Sequence, residues 1–80
     1  MYEYITGREL IRVLERMGFV LMNRAGSHVL MRHSKKNLVV TVPDGPGPLR
    51  PSTLQAILRQ IQNFNIATRA ELAAKFRKWE

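Results

Sequence analysis

The sequence predicts an α+β fold, a two-layer sandwich in the order α-β-β-β-α with one further helix at the C-terminal end. Three observations predict it. Helical apolar spacing behind a capping signal recurs toward both ends of the chain. Three short apolar runs separated by polar breaks fill the stretch between. A single proline- and glycine-rich segment then divides those runs from the second helix.

The first helix opens at Thr6-Gly7-Arg8-Glu9, a capping box in which the threonine hydroxyl and the glutamate carboxylate satisfy each other's backbone donors. Leu10, Val13, Leu14 and Met17 recur at helical spacing, and Gly18 suits a left-handed stop. Phe19 to Arg24 is the first apolar run, broken at Ala25-Gly26-Ser27. His28 to His33 is the second, closed by the polar turn Ser34-Lys35-Lys36-Asn37. Leu38 to Val42, rich in β-branched residues, is the third. Runs so short, joined by turns so tight, read as an antiparallel meander. Pro43 to Pro51 holds all 4 prolines and reads as a loop, because proline fixes φ and removes a backbone donor. The second helix begins near Pro51 or Ser52 and carries Leu54, Ile57, Leu58 and Ile61 as an apolar stripe. Asn63 and Asn65 weaken its continuation. Thr68-Arg69-Ala70-Glu71 is a second capping box and opens a last helix with Leu72, Phe76 and Trp79 on one side. Both main helices are expected on one face of the sheet. The aromatics Phe19, Phe64, Phe76 and Trp79 read as core, and Met17, Met22 and Met31 as core or sheet filling.

Eighty residues make one domain, spanning 1–80, with a core from about 6 to 62 and a helical extension from about 66 to 80. Apolar residues make up 45% of the chain, which suits a folded domain and argues against disorder. The chain has no cysteine, so disulfides and thiolate metal sites are excluded. No apolar run is long enough to span a bilayer, and Met1 to Thr6 lacks the pattern of a signal peptide, so a cytoplasmic protein without membrane partners is expected. The charge is the first functional clue. Thirteen Lys and Arg against 6 Asp and Glu give a net charge of +7, a field that attracts polyanions. Nucleic acid is the first partner this suggests. An acidic protein surface or an anionic membrane comes next, and plain solubility is the alternative without a partner.

His28 follows the small-residue turn Gly26-Ser27 and starts the second strand. A histidine there can move protons near neutral pH, its reference pKa being about 6.5; the alternative is an ordinary surface histidine. His33 lies on the same strand with the opposite parity, so alternation puts it on the other face and separates the two rings. His33 reads as a surface or turn residue. With no cysteine, and no acidic residue between Glu15 and Asp44, a metal site is not expected. Arg8, Arg12 and Arg16 repeat every fourth residue as a basic stripe on the first helix, which either contacts phosphates or forms a solvated face paired with Glu9 and Glu15. Lys35 and Lys36 are basic tips able to reach phosphates. Arg24 and Arg32 flank His28 in sequence and can hold a phosphate beside it. Ser52 and Thr53, next to Arg50, either cap the second helix or hold a phosphate at its N-terminus.

At Gly26-Ser27-His28 the sequence resembles the HicA family of bacterial mRNA-cleaving toxins. The matching pieces come in the family's order: "ELIRVLERMGF" from Glu9 to Phe19 as the opening helix and its stop, "GSH" with Arg32-His33 after it, "VTVP" ending at Pro43, and "LRPSTLQAILRQ" from Leu49 to Gln60 as the closing helix. The resemblance spans roughly residues 8 to 62. It implies the double-stranded-RNA-binding-domain fold, whose element order is the one derived above. It also implies a metal-independent ribonuclease without a cofactor, an mRNA substrate, a HicB-like antitoxin as partner, and His28 as the catalytic residue. Ser27, Arg8, Arg12, Arg16, Arg24, Arg32, Lys35, Lys36 and Arg50 would contact RNA. Two departures stand out. Many relatives carry glycine where this chain has Ser52, and a histidine or basic residue soon after the strand-ending proline, where this chain has Asp44-Gly45-Pro46-Gly47.

Two other classes compete. A non-catalytic RNA-binding module of the same fold fits the charge equally, but has no need of His28 in its turn. A domain whose basic face serves an acidic protein would keep its partner in high salt and without RNA.

Overall fold

A computed structural model describes residues 5–76 of the chain. Its elements are α1 (Gly7–Arg16), β1 (Phe19–Ala25), β2 (His28–His33), β3 (Val39–Pro43), α2 (Pro51–Asn63) and α3 (Arg69–Lys75). The strands form one antiparallel sheet in the order β1-β2-β3. This is the expected α-β-β-β-α order with an added helix.

Each boundary has a local cause. Thr6 caps α1 through the capping box with Glu9, and Gly18 leaves the helix at φ 99°, in the left-handed region. Gly26 takes φ 61° in the two-residue β1–β2 turn. Thr68 caps α3 by a second capping box with Glu71. The cap of α2 corrects the sequence reading. It is Arg50, with no side-chain cap bond, and Ser52 and Thr53 lie inside the first turn. Pro51 is the reason: proline suits the first helical position and holds the residue before it extended, so Arg50 becomes the boundary.

All the helices cover one face of the sheet. Val29, Met31, Val40 and Val42 point inward and share one core with Leu10 and Leu14 of α1, and with Leu54, Leu58 and Ile61 of α2. Leu72 and Phe76 of the α3 region join that core. Strand alternation then sends His28, Arg32, Val39 and Thr41 to the uncovered face, where all are exposed.

Three side chains depart from their expected places. His33 is buried, not at the surface, because its parity puts it on the helix-covered face. Phe64 is 42% exposed; α2 ends at Asn63, so Phe64 falls at the C-cap, outside the apolar stripe. Met22 is 55% exposed, since the register of β1 on β2 shifts between Leu21 and Asn23 and leaves it opposite no partner. Trp79 lies outside the described residues.

Candidate functional site

α1 and β2 run in the same direction, which decides what can meet at each end of the sheet. At one end, a Cβ on Gly7 would sit 1.7 Å from the Pro43 carbonyl oxygen, so only glycine lets α1 start against the end of β3. Pro43 pairs with His28. At the other end, His33 bonds the Met17 carbonyl just past the end of α1. The N-terminus of α2 joins the first end, since the Leu49 amide donates to Ile5 at 2.7 Å and Thr6 bridges to Pro48.

This layout sorts the sequence-derived site residues. Ser27, His28, Arg24, Arg8 and Arg50 gather at the end where both α1 and α2 begin. Arg16, Arg32, Lys35 and Lys36 gather at the other end, about 17 Å away along β2 at the usual rise of a strand. Arg12 lies between, one turn along α1 from Arg8. All of these side chains are exposed. The structure therefore does not bring Arg32 to His28, although both point to the uncovered face.

His28 sits at the start of β2, paired with Ala25 on one side and Pro43 on the other. Its neighbours on that face are thus a methyl group and a proline ring. Among the described residues its side chain has no hydrogen bond, ion pair or ring contact. Its backbone is held firmly. The Asp44 amide donates to the Ser27 carbonyl at 2.6 Å, and the Asp44 carboxylate pairs with the Arg24 guanidinium across the turn. Arg24 stays half exposed while the Asp44 side chain is mostly buried. The second carboxylate oxygen of Asp44 is buried with no hydrogen-bond partner. The turn is clamped and the imidazole is free.

His33 is the opposite case. Its Nδ1 accepts the Lys35 and Lys36 amides at 3.2 and 3.0 Å. Those bonds place the ring proton on Nε2, which donates to the Met17 carbonyl at 2.9 Å. The ring also packs edge-on against Phe19, with centroids 5.1 Å apart. One side chain thus ties the end of α1 to the β2–β3 turn, and it has no nitrogen left for chemistry.

On α1, the Glu9 carboxylate is partly committed to the Thr6 amide. That bond, the Thr6 side chain and the nearby Arg12 charge all hold it below the ordinary glutamate range. No Arg–Glu ion pair forms along the stripe among the described residues, which leaves Arg8, Arg12 and Arg16 available to solvent anions. No group of three or more His, Asp or Glu that could hold a metal lies together among the described residues. No helix there is long and apolar enough to cross a membrane.

The sequence did not reveal two parts of this site. The Arg24–Asp44 pair joins positions 20 apart, and no local pattern signals it. The role of His33 was signalled by its parity, because a histidine on the covered face needs partners for both nitrogens.

Comparison with known proteins gives one result. The family model described as "HicA toxin of bacterial toxin-antitoxin" matches residues 7–62, well over half of the chain. No curated protein and no solved structure gives a significant match.

Proposed function

The chain belongs to the HicA toxin family, and from that premise we propose that this toxin of a toxin–antitoxin system is an mRNA-cleaving ribonuclease that uses His28 and no metal. One observation carries the reading: among the described residues His28 is an exposed imidazole with no side-chain partner, on a turn whose backbone is clamped, at the end of the sheet where the helices of Arg8 and Arg50 begin on the opposite face. A positioned acid or base must have a free nitrogen and a fixed origin, and His28 has both.

RNA supplies its own nucleophile. The 2′-hydroxyl attacks the adjacent phosphorus, the bond to the 5′-oxygen breaks, and the products end in a 2′,3′-cyclic phosphate and a 5′-hydroxyl. The 2′-oxygen loses one proton and the 5′-oxygen gains one. His28 moves at least one of these protons. Arg8 and Arg50, at the same end of the sheet, supply positive charge for the growing charge on the phosphate oxygens. Ser27 presents a small side chain where the backbone approaches. Arg12, Arg16, Arg32, Lys35 and Lys36 hold the flanking strand, and Arg24 contributes while paired to Asp44. The partner is a HicB-type antitoxin, and it silences the toxin by covering His28 and the basic stripe.

The test is cleavage of an end-labelled RNA by the purified full chain, with and without a chelator. Cleavage that persists in chelator and leaves cyclic phosphate ends is expected. No cleavage by a folded, antitoxin-free chain would overturn the ribonuclease reading, and leave RNA binding alone. Loss of activity on chelation would overturn the metal-free mechanism.

A further inference from the structure

Among the described residues β1 is an edge strand that no other element pairs with on its outer side. It pairs only with β2, and among the described residues the backbone from Val20 to Ala25 makes one hydrogen bond beyond that ladder, from the Arg24 amide to the Asn23 side-chain oxygen at 2.8 Å, which leaves the stretch from Val20 to Met22 without one. An edge of this kind presents a row of free amides and carbonyls. Its middle also exposes three consecutive large apolar side chains, Val20 at 57%, Leu21 at 42% and Met22 at 55%. Alternation spreads them over both faces of the strand, so neither the helix layer nor the sheet buries them. Beside them a groove of about 260 Å³ is lined by Val20, Met22, Arg32, His33 and Ser34.

We propose that β1 is the docking edge for the antitoxin, which adds an extended segment as a fourth strand, with aliphatic side chains against Val20 and Met22 and carboxylates toward Arg32. This rests on the reading of the chain as a toxin held by a protein partner, and it names the anchor point.

Charge selects this occupant. A second copy of the chain would bring a net charge of +7 against +7 and set Arg24 on both strands, so self-pairing is opposed. RNA fits poorly, because the patch is aliphatic and offers no aromatic ring for a base to stack on. An acidic chain with alternating aliphatic residues meets both the free backbone groups and the basic flank. Position completes the argument. Ala25 at the end of β1 pairs with His28. A strand added to β1 would lie two strand spacings, about 10 Å, from β2. Its next residues could then cross His28, joining anchorage to occlusion.

The experiment uses the full chain co-expressed and co-purified with a HicB-type antitoxin that binds it. Hydrogen–deuterium exchange compares the free toxin, the complex, and the toxin with 2′-O-methyl RNA. Amides from Val20 to Arg24 should slow markedly in the complex and stay unchanged with RNA. Val20→Glu and Met22→Glu, both at exposed sites, should each weaken antitoxin affinity by roughly thirtyfold, the size expected on losing one strong interface side chain. Val39→Glu, on the far edge of the same face, should not. Failure to protect β1 in a complex that still forms would overturn the docking edge while leaving the toxin reading intact. Protection of β1 by RNA, or in a dimer of the free toxin, would assign the edge to another occupant and overturn it equally. Absence of RNA cleavage would overturn the enzymatic reading alone, since protection of β1 is measured without turnover.

Discussion

β2 carries a histidine at each end, and the two are used in opposite ways. Among the described residues the His28 side chain has no partner; it is exposed and sits on a turn fixed by other residues. His33 is buried, with both nitrogens hydrogen-bonded and its ring against Phe19. Residue type and strand are the same. Parity differs, and parity decides whether the side chain meets the helix layer or the open face. The contrast teaches that a histidine is read by what its two nitrogens already do. A ring whose donor and acceptor are both engaged holds the fold, and a ring with both open on a rigid backbone is ready for chemistry.

The largest effect expected from breaking this contrast is on catalysis. His28→Ala should lower RNA cleavage by about 10²–10⁴-fold, the usual range for losing a general acid or base. Its melting temperature and circular dichroism should match the wild type. A variant that unfolds would place His28 in the structural class with His33.

Next in size is the converse substitution. His33→Ala leaves the Met17 carbonyl and the Lys35 and Lys36 amides without their partner and opens a cavity beside Phe19. The expected cost is about 2–3 kcal/mol, or a fall in melting temperature of roughly 10–20 °C for a domain of this size. Cleavage per folded molecule, measured at low temperature, should stay near wild type. Unchanged thermal denaturation would remove the structural role.

A smaller effect is expected at Asp44, which clamps only the His28 end. Its pair with Arg24 is half exposed, so Asp44→Ala should cost under about 1 kcal/mol of stability. Cleavage should fall more, several-fold, as the turn that carries His28 loosens. An equal loss of stability and rate would mean that Asp44 acts on the fold alone.

Replacing Arg12 and Arg16 with Gln should weaken RNA binding by about tenfold at low salt and flatten its salt dependence. Anisotropy titrations at two ionic strengths check this. The smallest effect belongs to the caps. Glu9 and Glu71 are held below their ordinary pKa by the Thr6 and Thr68 amides first. A carboxylate lowered on folding adds stability above its unfolded pKa and loses it as pH falls through the folded value. Both side chains are solvent-exposed, so a Glu9→Gln variant should be only slightly less stable than wild type above that range, and the difference in acid denaturation should vanish as pH falls through it.

Most of the fold was legible in the sequence because its boundaries are chemical. Thr6 and Thr68 carry their capping boxes, Gly18 and Gly26 take left-handed turns, and the β2 limits at His28 and His33 were read as they stand. The site was legible as a set of residues, but its arrangement was not. Sequence proximity suggested that Arg24 and Arg32 flank His28. Tertiary structure commits Arg24 to Asp44 and carries Arg32 toward the other end of the strand, where it bonds Asn37. Met22 and Phe64 misled because an apolar side chain in a periodic pattern is not buried where a bulge or a helix end interrupts the period. The burial of His33 could have been read. Its parity puts it on the covered face, where both ring nitrogens need partners.

One measurement addresses both histidines at once: imidazole nitrogen and proton NMR shifts of the full chain, recorded while an uncleavable 2′-O-methyl RNA is added. The account predicts that His28 signals move with RNA while those of His33 keep the Nε2–H tautomer and stay in place. RNA-dependent shifts at His33 with none at His28 would contradict it.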